Sequence, residues 1–171
     1  MNQKKIKVPP KIGWYLAGFA DGEGSFMVVF RPRKDYRTLW KVSLCFNVSN
    51  KDKVILSLFK RYLKCGTIRK RKDGVFYYEV NNINALKENV IPFFEKFKFL
   101  SSKKKNDFSI FKKVLQIVLE NKHQTKEGIS QILSLREKLN RDISKRKYKD
   151  EEIRKSLKEG DPQRPYARHQ T

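Results

Sequence analysis

Two runs that alternate with a period of two, residues 25–33 and 39–49, restrict this chain more than any other feature. A period of two places every second side chain on one face of an extended strand, so each run predicts a strand with one buried face and one open face. In the first run Phe26, Val28 and Phe30 share a face, with Ser25, Met27, Val29, Arg31 and Arg33 opposite. In the second, Trp40, Val42, Leu44, Phe46 and Val48 lie opposite Lys41, Ser43, Cys45, Asn47 and Ser49. The polar connection from Lys34 to Thr38 is short, which predicts a hairpin. Over 51–64 the period becomes helical, with Val54, Ile55, Leu58, Phe59 and Tyr62 on the apolar stripe and Gly66 beyond its end. A second hairpin is expected over 67–71 and 75–81, turning at Asp73-Gly74, a dipeptide suited to a type I′ turn. Its open face carries Thr67, Arg69, Arg71, Tyr77, Glu79 and Asn81. Ile68, Phe76, Tyr78 and Val80 point inward, and Lys70 interrupts that pattern.

Helices flank these strands. Residues 12–23 are mostly apolar, with no β-branched side chain after Ile12, and Gly24 is placed to end them as a C′ residue. A helical segment around 83–89 leads into the aromatic-rich run 91–99. Ser101 or Ser102 is suited to cap a helix over 103–121 whose stripe is Phe108, Phe111, Leu115 and Val118. Further helices are expected over 127–146 and 150–158. The predicted order is α-β-β-α-β-β-α plus C-terminal helices, a mixed α+β class. It forms one domain over 12–160, with an N-terminal arm at 1–11 and a disordered tail at 161–171.

Charge indicates the partner. Forty Lys and Arg against 18 Asp and Glu give a net charge of +22, while 39% hydrophobic and 12% aromatic residues are enough for a packed core. A folded chain with that field points to a polyanion, and nucleic acid is the most plausible one. No run approaches the ~20 apolar residues of a membrane span. The N-terminus has no apolar signal region, and Cys45 and Cys65 cannot supply a disulfide framework or a four-ligand zinc site. These features predict an intracellular protein with reduced thiols and no membrane partner. His123 and His169 stand alone in polar surroundings, which predicts surface positions.

Asp21-Gly22-Glu23-Gly24 puts two carboxylates at the C-terminal end of the first helix, beside unpaired carbonyls and the negative end of its dipole. That placement costs roughly 0.3–1 kcal/mol per charge, and a bound cation reverses the sign. Carboxylate and carbonyl oxygens are the ligands Mg²⁺ prefers, but one helix end provides too few for a cage. Two copies side by side would provide enough. Gly18 and Gly22 fall four residues apart, with Ala17 and Asp21 flanking the stripe, and small residues at that spacing allow close helix–helix approach. Periodicity alone favours a core helix with a glycine stop over such an interface.

Leu16-Ala17-Gly18-Phe19-Ala20-Asp21-Gly22-Glu23-Gly24 resembles the nine-residue motif that names the LAGLIDADG homing endonucleases, and the resemblance extends through residues 12–120. The chain looks most like the single-motif, homodimeric branch encoded in group I introns. What the resemblance implies is a homodimer whose paired motif helices meet at Ala17, Gly18, Asp21 and Gly22. It implies a metal site at Glu23, with Gly22 contributing its carbonyl; the metal is Mg²⁺, and Mn²⁺ or Ca²⁺ can take the same place. Asp21 matches an acidic position with a helix-end role. The family often has Asp where Glu23 stands here. Asn50 aligns with a position often held by Gln, and Lys103 with a lysine near the cleaved phosphate. A further basic position falls on Val54, with Lys53 or Lys51 as substitutes.

The implied reaction is metal-assisted hydrolysis of both strands of a long pseudo-palindromic DNA site, leaving short 3′ overhangs. The implied compartment is an organelle or a bacterial cytoplasm. DNA reading falls to the outward strand residues Met27, Val29, Arg31, Arg33, Lys41, Ser43, Cys45, Asn47, Ser49, Arg69, Arg71, Tyr77, Glu79 and Asn81. The arginines have the fork geometry for guanine, and Met27, Val29 and Cys45 suit thymine methyls. Lysines elsewhere, and in the C-terminal helices, suit phosphates. Alternatives are an RNA-binding intron maturase or a non-cleaving DNA binder on the same fold, and, from another class, a ribosomal or general RNA-binding protein.

Overall fold

In the computed structural model, which describes residues 7–139 and 146–159, the chain opens with helix α1 (Pro10–Glu23). Pro10 stands at the first helical position, where its missing N–H costs nothing, so the helix starts inside the expected N-terminal arm. Strands β1 (Gly24–Pro32) and β2 (Trp40–Asn50) follow, then α2 (Lys53–Leu63), β3 (Thr67–Lys70) and β4 (Phe76–Val80). Next come α3 (Ile83–Ala85), a π-helical turn (Leu86–Val90), α4 (Ile91–Lys96), α5 (Ser102–Leu119), a 3₁₀ turn (Lys122–Gln124), α6 (Lys126–Leu139) and α7 (Asp150–Glu159). The four strands form one sheet in the order β1-β2-β4-β3. The expected order of elements is therefore observed.

The chain divides into two compact units. One gathers residues up to Met27 with Leu44–Phe108, the other Val28–Ser43 with the residues from Ser109 onward. The first has an aromatic core. Phe26 lies 5.1 Å from Phe46, 5.9 Å from Phe94 and 5.4 Å from Phe108, ring centre to ring centre. Phe59 stacks on Tyr78 at 5.8 Å, joining α2 to the sheet. Gly13 makes room for Phe97, whose ring would lie 2.2 Å from a β-carbon at that position.

In the second unit, Trp40 packs edge-on to Phe30 at 6.4 Å and to Tyr148 at 5.4 Å, and donates its indole N–H to Ser156 Oγ at 2.6 Å. Arg136 pairs with Asp150 at 2.6 Å beneath α6 and α7, Arg146 closes on the same carboxylate, and the Arg136 guanidinium lies over Phe30. Phe108, Phe111, Leu115 and Val118 are all buried, as their spacing predicts.

Several expectations need correction. Val54 is 66% exposed; the buried stripe of α2 is Ile55, Leu56, Phe59 and Leu63. Asp52 caps this helix by accepting from Val54 N at 2.8 Å, which sets its phase and turns Val54 out. The helix ends on Lys64 in the left-handed region, two residues before Gly66. Only Gly74 has positive φ at the second hairpin, whereas a type I′ turn needs it at both central residues, so Arg71 N bonds Val75 O across a longer loop. Gly24 is extended, with φ −76°, and is required because a β-carbon there would come within 2.6 Å of Ala20 O. His123 is buried. Helix α6 ends at Leu139; the rest of the span to 146 falls largely outside the described residues, as do His169 and the expected disordered tail.

Candidate functional site

The end of α1 is held by the residues just before α5 and by its first turn. The Asp21 carboxylate accepts from Leu100 N at 3.0 Å and Ser101 N at 2.9 Å, and also from the Ser101 hydroxyl. Burial pushes the Asp21 pKa up, but these hydrogen bonds and the charge of Lys104 outweigh it and hold the carboxyl below its ordinary value. One turn further, Lys104 donates its ammonium to Gly24 O. Lys104 is only 7% exposed, and burial followed by the neighbouring Lys103 charge lowers its pKa against the opposing pull of Asp107, Asp21 and Glu23. Glu23, between Asp21 and Gly24, is exposed.

The other implied site residues stand in separate settings. Lys103 extends into solvent and pairs with Asp107 at 3.0 Å. Asn50 accepts from Asp52 N at 2.7 Å, fixing the turn into α2. The hairpin returns the end of β2 to the level of the start of β1, so Asn50 lies at the same end of the sheet as Gly24. The ammonium of Lys53 sits 5.9 Å from the centre of the Phe76 ring, and that of Lys70 5.4 Å from it. Lys51 is exposed beside Asp52.

Lys104 was missed because it sits in a run of three lysines. Its helical phase was nevertheless readable, four residues before Phe108 and seven before Phe111 on the same buried stripe.

The outer face of α1 also differs from expectation. Gly18 and Gly22 are open, with no atom within 4 Å of a β-carbon at either. Ala17 is 2% exposed and packs into its own chain, so it is not part of the open face. Asp21 is engaged by α5 and flanks that face without forming it. Trp14 and Tyr15, 52% and 54% exposed, fall on the same open stripe as Gly18 and Gly22. The 12–23 run is mostly apolar all round, so only packing shows which side of α1 is covered.

On the sheet, β4 runs antiparallel to β2 and β3, with Asn47 opposite Glu79 opposite Thr67, and Ser49 opposite Tyr77 opposite Arg69. Those six side chains therefore share one face, as the alternation predicts. Arg31, Lys41 and Asn81 are exposed; Met27, Val29 and Ser43 are half-buried, and Asn47 donates toward Met27 sulfur at 3.6 Å. Arg33 forks onto Asp35 at 2.7 and 2.6 Å, and Arg71 pairs with Asp73 at 2.8 Å, which pre-orients both guanidinium groups. Cys45 is a correction: it is 7% exposed, and burial with the adjacent Glu79 charge pushes its thiol up to about 12. It is closed off from a ligand.

Oxygen donors at the end of α1, the Glu23 carboxylate and the carbonyls of the last turn, have the hard chemistry of a divalent-cation site. Among the described residues no three His, Cys, Asp or Glu side chains cluster.

A four-stranded antiparallel sheet led by a helix with this acidic, glycine-lined end defines a class, and the chain belongs to it: the LAGLIDADG endonuclease family, whose model matches residues 16–115. Within that family it is 36% identical over 135 residues to a probable intron-encoded endonuclease of Neurospora crassa, covering 77% of this chain and 30% of that protein. The chain spans about a third or less of the length of the curated relatives it matches most strongly. Its fold is similar to the crystal structure of the homing endonuclease I-TnaI, with TM-score 0.74 and 28% identity over 86% of this chain and 96% of the other. It is also similar to I-SmaMI bound to its uncleaved DNA target with calcium, with TM-score 0.75 and 31% identity, covering 93% of this chain and 53% of that one. No helix among the described residues is long and apolar enough to cross a membrane.

Proposed function

We propose that this chain is a homing endonuclease that hydrolyses both strands of a long, pseudo-palindromic duplex DNA site, acting as a homodimer with Mg²⁺ and leaving short 3′ overhangs. The observation that carries this reading is the end of α1. Glu23 is exposed there, the Asp21 carboxylate before it and the Gly24 carbonyl after it are both engaged, and the adjoining helix face is open at Gly18 and Gly22. Two such ends brought together by a two-fold axis complete what one leaves partial. The I-SmaMI match covers 53% of that chain, which supports a pair of these units as the working form.

Glu23 and the Gly22 carbonyl would hold a divalent metal, which would supply Lewis-acid activation of phosphate and water. Asp21 keeps its carboxylate on α5, leaving Glu23 as the open acid of the motif. Lys103 provides mobile positive charge for the phosphate, and Asn50 and Lys53 form the polar edge at the sheet end. Arg31, Arg33, Arg69 and Arg71 read bases in the major groove with Lys41, Ser43, Asn47, Ser49, Tyr77, Glu79 and Asn81.

The test is selection from a randomised duplex library with Mg²⁺ and with EDTA, followed by Glu23→Gln on the recovered site. One long, partly palindromic sequence cut only with metal, and bound but uncut by Glu23→Gln, is expected. Selective binding with no cutting by the unaltered protein refutes the nuclease reading in favour of a binder or maturase.

A further inference from the structure

We infer that Lys104 is the positioning residue that sets the direction of the Glu23 carboxylate, an assignment that rests on the metal-site reading above. Ser101 and Lys104 belong to one helical turn, and they grip the α1–β1 junction on either side of Glu23. Ser101 and the adjacent Leu100 N–H hold Asp21, two residues before it; Lys104 holds the carbonyl of Gly24, one residue after it. The hydroxyl of Ser101 also accepts from Lys104 N at 3.2 Å, so the two grips are linked. The Asp21 side chain is thus held two residues before Glu23 and the Gly24 carbonyl one residue after it.

The choice of lysine is informative. Gly24 O requires a single donor, which a neutral side chain provides without burying a charge, and burying an ammonium is costly unless it is compensated. Lys103 and Lys105 beside it remain at the surface, while Lys104 is 7% exposed. The acidic groups whose charge acts on it are Asp107, Asp21 and Glu23, so the buried cation is electrostatically coupled to both carboxylates of the motif. Removing a cation from near a metal site ordinarily strengthens metal binding, whereas removing a positioning group weakens it. The two roles therefore predict opposite signs.

The experiment compares the full chain with Lys104→Met and Lys104→Arg, following Mn²⁺ binding by electron paramagnetic resonance and single-turnover cleavage of the selected duplex. Lys104→Met is expected to weaken Mn²⁺ binding and slow cleavage by roughly 10- to 100-fold, the usual range for residues supporting a metal ligand. Duplex affinity in EDTA should stay close to that of the unaltered chain. Lys104→Arg, which keeps donor and charge, should recover most of both losses. If Lys104→Met does not fold, Lys104→Gln carries the same expectation. Unchanged or tighter Mn²⁺ binding in the folded variant overturns the inference, as does a loss of duplex affinity equal to the loss of cleavage. An unaltered chain that binds Mn²⁺ but cuts nothing overturns the nuclease reading, and the Mn²⁺ comparison still decides the role of Lys104.

Discussion

Replacing Gly18 by leucine separates what a single chain requires from what an assembly requires. Beyond its own helix backbone, no atom of the described residues lies within 4 Å of a β-carbon at this position, so the substitution meets no steric resistance from the described fold. Within one chain it should help, since glycine in a helix interior is about 0.5–1 kcal/mol worse than a good helix former. In a dimer packed through this face the leucine enters a close backbone contact, where overpacking costs typically ~1–3 kcal/mol. A two-fold axis repeats the insult, giving ~2–6 kcal/mol, or roughly 30-fold to more than 10⁴-fold in the dimer dissociation constant. Sedimentation equilibrium over a micromolar range reads the dissociation constant, and thermal unfolding at low concentration reads the single chain. The expected result is a monomer of equal or greater stability that no longer cuts both strands. A Gly18→Leu protein that stays dimeric and cleaves normally refutes the interface, and so the reasoning from the open stripe.

Other expectations follow from the same contacts. Gly13→Ala puts a methyl 2.2 Å from the ring of Phe97, which is itself wedged 5.1 Å from Phe93 and 5.4 Å from Trp14, so a loss of about 1–3 kcal/mol should appear as a lower unfolding temperature. Arg136→Met strips one partner from the buried Asp150; because Arg146 remains, the loss in urea unfolding should fall near the low end of the ~3–5 kcal/mol range for a broken buried pair. The depressed Asp21 pKa contributes stability that is present above the ordinary value of 3.8 and lost as pH falls through the lower folded value, so an acid titration of unfolding temperature should fall more steeply in the native chain than in Asp21→Asn. Equal slopes would remove Asp21 from that role.

The strands were legible because alternation leaves no choice about which face is buried. Phe26, Phe30, Phe46 and Val48 are inside as their period requires, and the Asn47–Glu79 and Ser49–Tyr77 register then follows from the pleat. The acidic end of α1 stood out in the sequence because two carboxylates at a helix C-terminus oppose the dipole, and the structure engages one of them, Asp21, with Leu100 and Ser101. Cys45 misled because alternation describes direction, while burial also depends on neighbours; Glu79 and Asn47 close over it.

What the sequence by itself determined is the order of elements, the polarity of the sheet and the identity of the motif, all of which depend on spacing along one strand or helix. Helical rotation could not be settled in the same way wherever apolar residues surround the axis. Trp14 and Tyr15 face out and Ala17 faces in because α1 must present its flat side to Phe97 and the aromatic core, a condition set by residues some 80 positions away. The same long-range packing selected Lys104 from three adjacent lysines and brought it to Gly24. Tertiary structure decided these points because each depends on which surface another element covers, and local periodicity carries no information about distant partners.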